Sequence, residues 1–304
     1  METKRVPMEN MVNEKSISLM LPIFNCVHTI DETIKSILSQ NFKEFTLHIL
    51  DNKSTDGTFE RCKVYANLEE RIKLEQNYRN IGWGLNFNKA IKNMNGKYGC
   101  IIHGDDIYGV NFLRDNIEIA KKYPNALIFT KGKTFKNTPP LKNSYPKMFS
   151  QVIAKEKQDF LKKLLEKGNT YFCPTAFMSV KHWQGLIRQF NFKEFGGGCD
   201  LDAWLRASEN LQIVEIKGSK NFFYRLSSKQ ISYFDKTNNS KSVFVNVLEY
   251  HLSKSKRHLL EIHQLNHLAS SKLSILDKFY FLLKVFRAKG HYWLKIKTLL
   301  KLFI

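Results

Sequence analysis

The residues able to do chemistry in this chain sit in short polar stretches, each ending an apolar run. His103 to Tyr108 (HGDDIY) places two adjacent carboxylates, Asp105 and Asp106, directly after the apolar residues Cys100 to Ile102. Hard divalent cations such as Mg²⁺ or Mn²⁺ take oxygen ligands and keep open positions for phosphate oxygens. One or two carboxylates plus a diphosphate therefore make a sufficient site. The same letters also make an ordinary turn, because Asp and Gly favour turns. Asp51 to Thr58 (DNKSTDGT) likewise follows an apolar run. Its first carboxylate can accept hydrogen bonds from a base or ribose, while Thr55 or Asp56 can cap the following helix. A third polar point, Asn25, closes the run Ser16 to Phe24.

Strands and helices must hold these stretches. Ser16 to Phe24, Phe45 to Leu50, Ile72 to Glu75 and Tyr98 to His103 read as buried strands. Between them, Thr29 to Ser39, Thr58 to Leu68 and Leu85 to Met94 read as helices; the first carries Ile30, Ile34, Ile37 and Leu38 at helical spacing. Strands alternating with helices predict an α/β fold, a mostly parallel sheet covered on both faces. Ligands of such sheets gather beyond the carboxyl ends of the strands. Asn25, Asp51 and Asp105 all fall there, which favours a ligand site over three unrelated turns. From about Thr130 to Met148 a Lys-, Asn- and Pro-rich stretch predicts a long loop, of the kind that is functional or mobile. A helix is expected over Gln151 to Lys167, an extended segment over Asn169 to Val180, and a helix over Ala203 to Asn210 after the triplet Gly196 to Gly198. Residues 1–15 are expected to be flexible, and 240–304 to form a basic, amphipathic helical appendage.

The chain of 304 residues carries 48 Lys and Arg against 28 Asp and Glu, a formal charge of +20. That excess suits nucleic acid, an anionic membrane or phosphate-bearing ligands. Lys272 to Ile304 holds eight basic residues against one Asp, interleaved with aromatic and aliphatic side chains, the pattern of a helix lying in a membrane interface. The other reading is a helical pair packed on the main domain. No stretch is apolar for the roughly 18 residues a spanning helix needs. Met1 to Lys15 lacks the apolar core of a secretory signal. Five scattered cysteines without a Cys-x-x-Cys pair argue for reduced thiols and against a zinc cluster. These features together predict a cytoplasmic location, peripheral on the inner face of the cell membrane. The Lys-, Asn- and Ile-rich composition suggests a bacterial source.

LPIFN (21–25), LDNKSTDGT (50–58), RNIGWGLNFNKAI (79–91) and HGDDIY (103–108) resemble, in order and spacing, the nucleotide-binding half of family 2 glycosyltransferases. The resemblance covers residues 16–130 well and reaches Arg225 more loosely. It implies a GT-A fold, a doubly wound domain over 16–235, with 16–130 binding the nucleotide-sugar and 131–235 the acceptor. By the same resemblance Pro22, Phe24 and Asn25 line the donor-nucleotide pocket, and Asp51 contacts the base or ribose. Asn80, Gly82 and Asn86 border the nucleotide, and Asp105 and Asp106 bind a divalent metal, Mn²⁺ or Mg²⁺. UDP is the nucleotide implied. Two positions depart from the family: Asn52 stands where a second Asp is frequent, and His103 where an Asp is found, leaving Asp105 as the main metal ligand.

GGGCDLDAWLRAS (196–208) resembles the family's later acidic motif, placing Cys199 at its Glu position and Asp200 at its Asp position. Asp200 is thus the candidate general base for an acceptor hydroxyl, with Asp202 the competing candidate or a helix N-cap. Arg206 pairs with a carboxylate or touches substrate. Lys131 to Lys147 can fold over the donor as a lid, and Tyr224 and Arg225 can reach the diphosphate or form a core edge. The function implied is inverting transfer from a UDP-sugar to a glycan or lipid-linked glycan, in bacterial surface polysaccharide or lipooligosaccharide synthesis. Two alternatives stand beside it: a catalytically impaired scaffold, given Asn52, His103 and Cys199, and a basic nucleic-acid-binding protein. The chain shows no DNA or RNA module, so no nucleic acid is expected. Gly82-Trp83-Gly84 followed by Leu85, Asn86 and Phe87 fails the dinucleotide fingerprint of an oxidoreductase.

Overall fold

A computed structural model describes residues 17–136, 151–218, 221–226, 247–248 and 250–252. They fall into two compact units. The first comprises the described residues of 1–157, 171–190 and 206–230, the second those of 158–170, 191–205 and 231–304.

The first unit opens with β1 (Ile17–Ile23), buried at every residue, as a strand covered on both faces must be. It continues through α1 (Ile30–Leu38), β2 (Phe45–Asp51), α2 (Thr58–Leu68), β3 (Ile72–Gln76), α3 (Trp83–Asn93) and β4 (Tyr98–Ile101). Ile30, Ile34 and Ile37 of α1 are fully buried, the apolar stripe the helical repeat requires. β5 (Ile107–Tyr108), α4 (Phe112–Lys122), β6 (Ala126–Thr130), β7 (Lys133–Phe135) and β8 (Gln151–Lys155) come next. After α5 (Lys157–Lys167) lie β9 (Phe177–Ser179), α6 (Val180–His182), α7 (Phe192–Phe195), α8 (Cys199–Ala207), β10 (Gln212–Lys217) and β11 (Phe222–Arg225); α5 beyond Lys157, α7, and α8 as far as Leu205 belong to the second unit.

Among the described residues the main sheet has eight strands in the order β3-β2-β1-β4-β9-β6-β10-β8. β1 pairs in parallel with β2 and β4, β2 with β3, and β6 with β10. β9 and β8 run against their neighbours, so the sheet is mostly parallel. From β1 the chain steps outward through β2 to β3, then returns to place β4 on the other side of β1. Right-handed crossovers then put α1 and α2 on one face and α3 on the other. The reversal makes a switch point between β1 and β4, the crevice where such sheets bind ligands. A smaller sheet has the order β5-β11-β7, and its β5 is the next strand after β4 in the chain.

Four expectations need correction, the first being the loop from Thr130, since Thr130 ends β6 and Lys133–Phe135 forms β7. Gln151 to Lys155 is not the start of a helix: it is β8, an edge strand antiparallel to β10, with Lys217 opposite Gln151. Five residues are too few for periodicity to separate strand from helix, and the partner lies some sixty positions downstream. The helix expected from Ala203 begins at Cys199 and ends at Ala207. The extended segment Asn169 to Val180 holds a 3₁₀ turn, Cys173–Thr175, before the short β9.

In the second unit Phe160, Leu164, Leu201, Trp204, Val247 and Leu248 are buried, and the Phe195 ring meets Tyr250 edge-on with centroids 5.3 Å apart. The expected flexible N-terminus, most of the expected lid and the basic C-terminal appendage lie outside the described residues. No described helix is long and apolar enough to cross a membrane. None of the five cysteines is in a disulfide.

Candidate active site

The ends of β1 and β2 are laced together. Pro22 lies inside β1, where a missing N–H would ordinarily break a ladder. Here Met20 O accepts from Ile102 N, so Met20 and Pro22 turn their main chain towards β4, whose pairing has already stopped at Ile101. Asn25 follows with φ of 48°, a left-handed conformation that Asn tolerates better than most residues. Its Oδ1 accepts from Thr55 N at 2.9 Å, and its own N–H donates to Ser54 Oγ at 2.9 Å. Phe24 stays 44% exposed, leaving an aromatic face beside this loop open to solvent. Asp51, at the end of β2, is fully buried. Its carboxylate accepts from Ser54 N (3.0 Å), from Ser54 Oγ and from Gln76 Nε2 (2.9 Å). Three of its roughly four acceptor positions are thus filled from within the chain.

A knot of four asparagines supports that edge. Asn52 Nδ2 donates to Asn80 Oδ1 at 2.8 Å, and Asn52 Oδ1 accepts from Asn77 Nδ2 and from Ile81 N, both at 3.0 Å. Gly82 N donates to Asn80 Oδ1 at 2.8 Å. The two backbone donors orient both amides, so Asn52 must present a donor to Asn80. A carboxylate at 52 could not, which gives this family departure a local physical reason. Asn86, on α3, donates to Leu50 O at 2.9 Å and accepts from Asn77 Nδ2 at 3.0 Å. Asn86 is therefore a buried tether for the end of β2. Gly82 caps α3 with φ of 83°, and its Cα faces open space.

Beyond β4 the chain carries His103 to Asp106 across α1. Thr29 Oγ1 donates to Gly104 O and Thr33 Oγ1 to Asp106 O, both at 2.8 Å. A Cβ at Gly104 would come within 3.0 Å of Ile23 Cγ2 and 3.2 Å of Cys26 Sγ, so glycine lets the loop pass this close without displacing those side chains. Asp106 is fully buried; Oδ1 accepts from Arg225 N at 2.9 Å. Arg225 Nε donates to Asp105 O at 2.8 Å, its far nitrogen pairs with Glu32, and its guanidinium lies over the Phe135 ring. Arg225 thus braces the carboxylate loop. Burial, with the neighbouring Asp105 charge, raises Asp106 well above the usual carboxylate range. Burial lowers His103, and Asp105 opposes that shift. His103, Asp105 and Asp106 each offer a donor atom, all within 4.8 Å of one another. His103 Nε2 and Asp106 Oδ2 are buried with no hydrogen-bond partner among the described residues. This donor set fits a divalent cation.

Asp200 and Asp202 sit in the first turn of α8, in the second unit. Asp200 Oδ1 accepts from Leu201 N at 2.6 Å, and burial pushes its carboxyl up to about 6. Asp202 is fully buried, with Asn191 Nδ2 at 2.9 Å and His251 Nε2 at 2.8 Å. It is not the N-cap, because the helix has already begun, and its oxygens already have partners. Arg206, at the other end of α8, donates to the carbonyls of Leu186, Ile187 and Gln189. Arg225, Asn77 and His251 were not singled out for these roles from sequence; the hydrogen bonds that define two of them span 119 and 49 positions.

Residues 18–182 match the family model described as glycosyl transferase family 2. EpsE of Bacillus subtilis (strain 168), which carries a provisional glycosyltransferase name, is 35% identical over 220 residues, 69% of this chain and 76% of EpsE. WfgD of Escherichia coli, a UDP-Glc:alpha-D-GlcNAc-diphosphoundecaprenol beta-1,3-glucosyltransferase, is 29% identical over 217 residues, covering 71% of this chain and 79% of WfgD. The fold is shared with S. aureus TarS 1-349 in complex with UDP-GlcNAc, at a TM-score of 0.64 and 18% identity over 89% of this chain and 79% of that one. The chain spans 48% of the longer TarS chain. A mostly parallel sheet with these polar loops at its switch point is a GT-A fold. The chain belongs to glycosyl transferase family 2 and is a glycosyltransferase.

Proposed function

We propose that this glycosyltransferase moves a sugar, with inversion, from a nucleotide-diphosphate-sugar, UDP being the nucleotide, to a hydroxyl of a glycan or lipid-linked glycan in surface polysaccharide synthesis. The observation that carries the donor half is the meeting of Asn25, Asp51 and the His103–Asp106 loop at one edge of the first unit. Phe24, Asn25 and Asp51 border the nucleotide, and Asn80, Gly82 and Asn86 hold that border in shape. Asp105 and Asp106 would hold the cation. When bound, Mn²⁺ or Mg²⁺ supplies positive charge against the departing diphosphate. Asp200 takes the acceptor proton as the acceptor oxygen bonds to the anomeric carbon; the bond from that carbon to the diphosphate breaks, and the nucleotide leaves. Ordered proton transfer of this kind contributes roughly 10²–10⁴-fold. One displacement inverts the centre, so no carboxylate nucleophile is required.

The acceptor and the location rest on other support. WfgD acts, by its name, on a diphosphoundecaprenol-linked acceptor. The eight basic residues of 272–304 suit an anionic leaflet, each worth about 1 kcal/mol near the surface. We place the enzyme at the inner face of the cell membrane on that basis.

A thermal-shift and donor-hydrolysis screen of nucleotide sugars with Mn²⁺ tests the reading. A ligand at about 100 times its Kd stabilises by about 2.7 kcal/mol, a shift of several degrees. A shift with UDP-sugars that requires Mn²⁺ is expected. No response to any nucleotide sugar, with strong salt-sensitive retention on DNA, would replace this reading with a nucleic-acid-binding one.

A further inference from the structure

The cation site proposed above differs from an all-oxygen site at one position. His103 stands within the donor cluster, its ring held edge-on against Phe87 with centroids 5.5 Å apart and its main-chain N–H donating to Tyr108 Oη, 3.3 Å away. The ring is thereby fixed next to a buried carboxylate oxygen. His103 Nδ1 lies 4.0 Å from Asp106 Oδ2, beyond any hydrogen bond. Asp106 Oδ2 and His103 Nε2 both lack a hydrogen-bond partner among the described residues, although both are buried. Two such groups side by side are costly unless a third body satisfies them. Ligands at roughly 2.1 Å from one octahedral ion stand about 3 Å apart when adjacent and about 4.2 Å apart when opposite. The donor atoms of His103, Asp105 and Asp106, within 4.8 Å of one another, stand close to that spacing.

We propose that His103 is a nitrogen ligand of the cation, which makes the centre prefer Mn²⁺ and later first-row ions over Mg²⁺. This rests on the reading of Asp105 and Asp106 as its oxygen ligands. Imidazole suits the later first-row ions Fe²⁺, Ni²⁺, Cu²⁺ and Zn²⁺ best; Mn²⁺ stands at the weak end of that series and also takes carboxylates, carbonyls and water, the ligands to which Mg²⁺ keeps. Replacing a carboxylate by a neutral imidazole also removes one negative charge, which weakens the hold on the hard, strongly hydrated Mg²⁺ most.

The test uses the full chain with Mn²⁺ alone and with Mn²⁺ plus UDP. Pulsed electron paramagnetic resonance of bound Mn²⁺ should show modulation from a directly bound ¹⁴N. His103→Asp should retain Mn²⁺ while losing that modulation, and should shift the ratio of Mg²⁺ to Mn²⁺ affinities, measured by competition, at least about tenfold towards Mg²⁺. His103→Asn, a neutral variant close in size, should lose the modulation too; circular dichroism and melting confirm that both variants fold. Bound Mn²⁺ with no nitrogen signal in the native chain overturns the His103 assignment and leaves the carboxylate reading standing. A nitrogen signal that survives in His103→Asp assigns it to another histidine, with the same consequence. Failure to bind Mn²⁺ at all, with or without UDP, overturns the metal site as a whole.

Discussion

Arg225 N donates to the buried Asp106 Oδ1 at 2.9 Å, and the Arg225 side chain grips the preceding residue, its Nε donating to the carbonyl of Asp105. The link ties the last strand of the small sheet, β11, to the carboxylate loop beyond β4. An arginine for which the sequence allows either the diphosphate or a core edge is a fixture of the loop that carries Asp105.

Arg225→Lys should therefore act like the loss of a support for metal ligands. Lysine keeps the charge and the main-chain N–H but has no planar fork to reach the Asp105 carbonyl and Glu32 together. Supporting groups of this kind typically contribute 10–100-fold to metal affinity or activity. Calorimetry should show Mn²⁺ binding weakened by about tenfold; unchanged binding would leave the brace without a role at the site.

Asp105→Ala and Asp200→Ala should fail at different steps. The first should abolish metal-dependent donor binding, read as loss of the Mn²⁺-dependent thermal shift. The second should leave donor binding intact and lower turnover by roughly 10²–10⁴-fold. Near-normal turnover in Asp200→Ala would remove it as the base.

Burial pushes Asp200 up to about 6, so its pH dependence should be visible in the working range. The base must be ionised, and kcat/KM should fall about tenfold per pH unit below about 6. The raised value also means that the folded chain holds this proton more tightly than the unfolded chain. The group's contribution to folding is present below the ordinary value of 3.8 and is lost as pH rises through about 6. Asp200→Asn should therefore melt higher than the native chain at about pH 8 and no higher near pH 3.5, by scanning calorimetry.

Asn52→Asp, which restores the residue frequent in the family, should be destabilising here. It removes the donor to Asn80 Oδ1 and sets two acceptors face to face, with residue 52 buried and Asn80 exposed. An unsatisfied polar group costs about 1–3 kcal/mol when fully buried, and less here, where water reaches Asn80. Urea unfolding should show a lowered midpoint; an unchanged midpoint would mean that the knot rearranges.

The local alternation of strands and helices, and the polar stretches that end β1, β2 and β4, could be read from residue types alone. Burial on both faces demands continuous apolar runs, and helices repeat their apolar contacts every three to four residues, as Ile30, Ile34 and Ile37 do. Family membership was legible for a related reason: four motifs in order constrain each other more than any one does. The strand order, the recruitment of Gln151 to Lys155 as an edge strand, and the partners of Asn52, Asp202 and Arg225 were decided only in three dimensions. Each depends on a group far along the chain, such as Asn80, His251 or Asp106, and a hydrogen bond between distant segments leaves no periodic trace in either. That is why the positions of the candidate carboxylates were readable, while which of their oxygens remain open to a ligand was not.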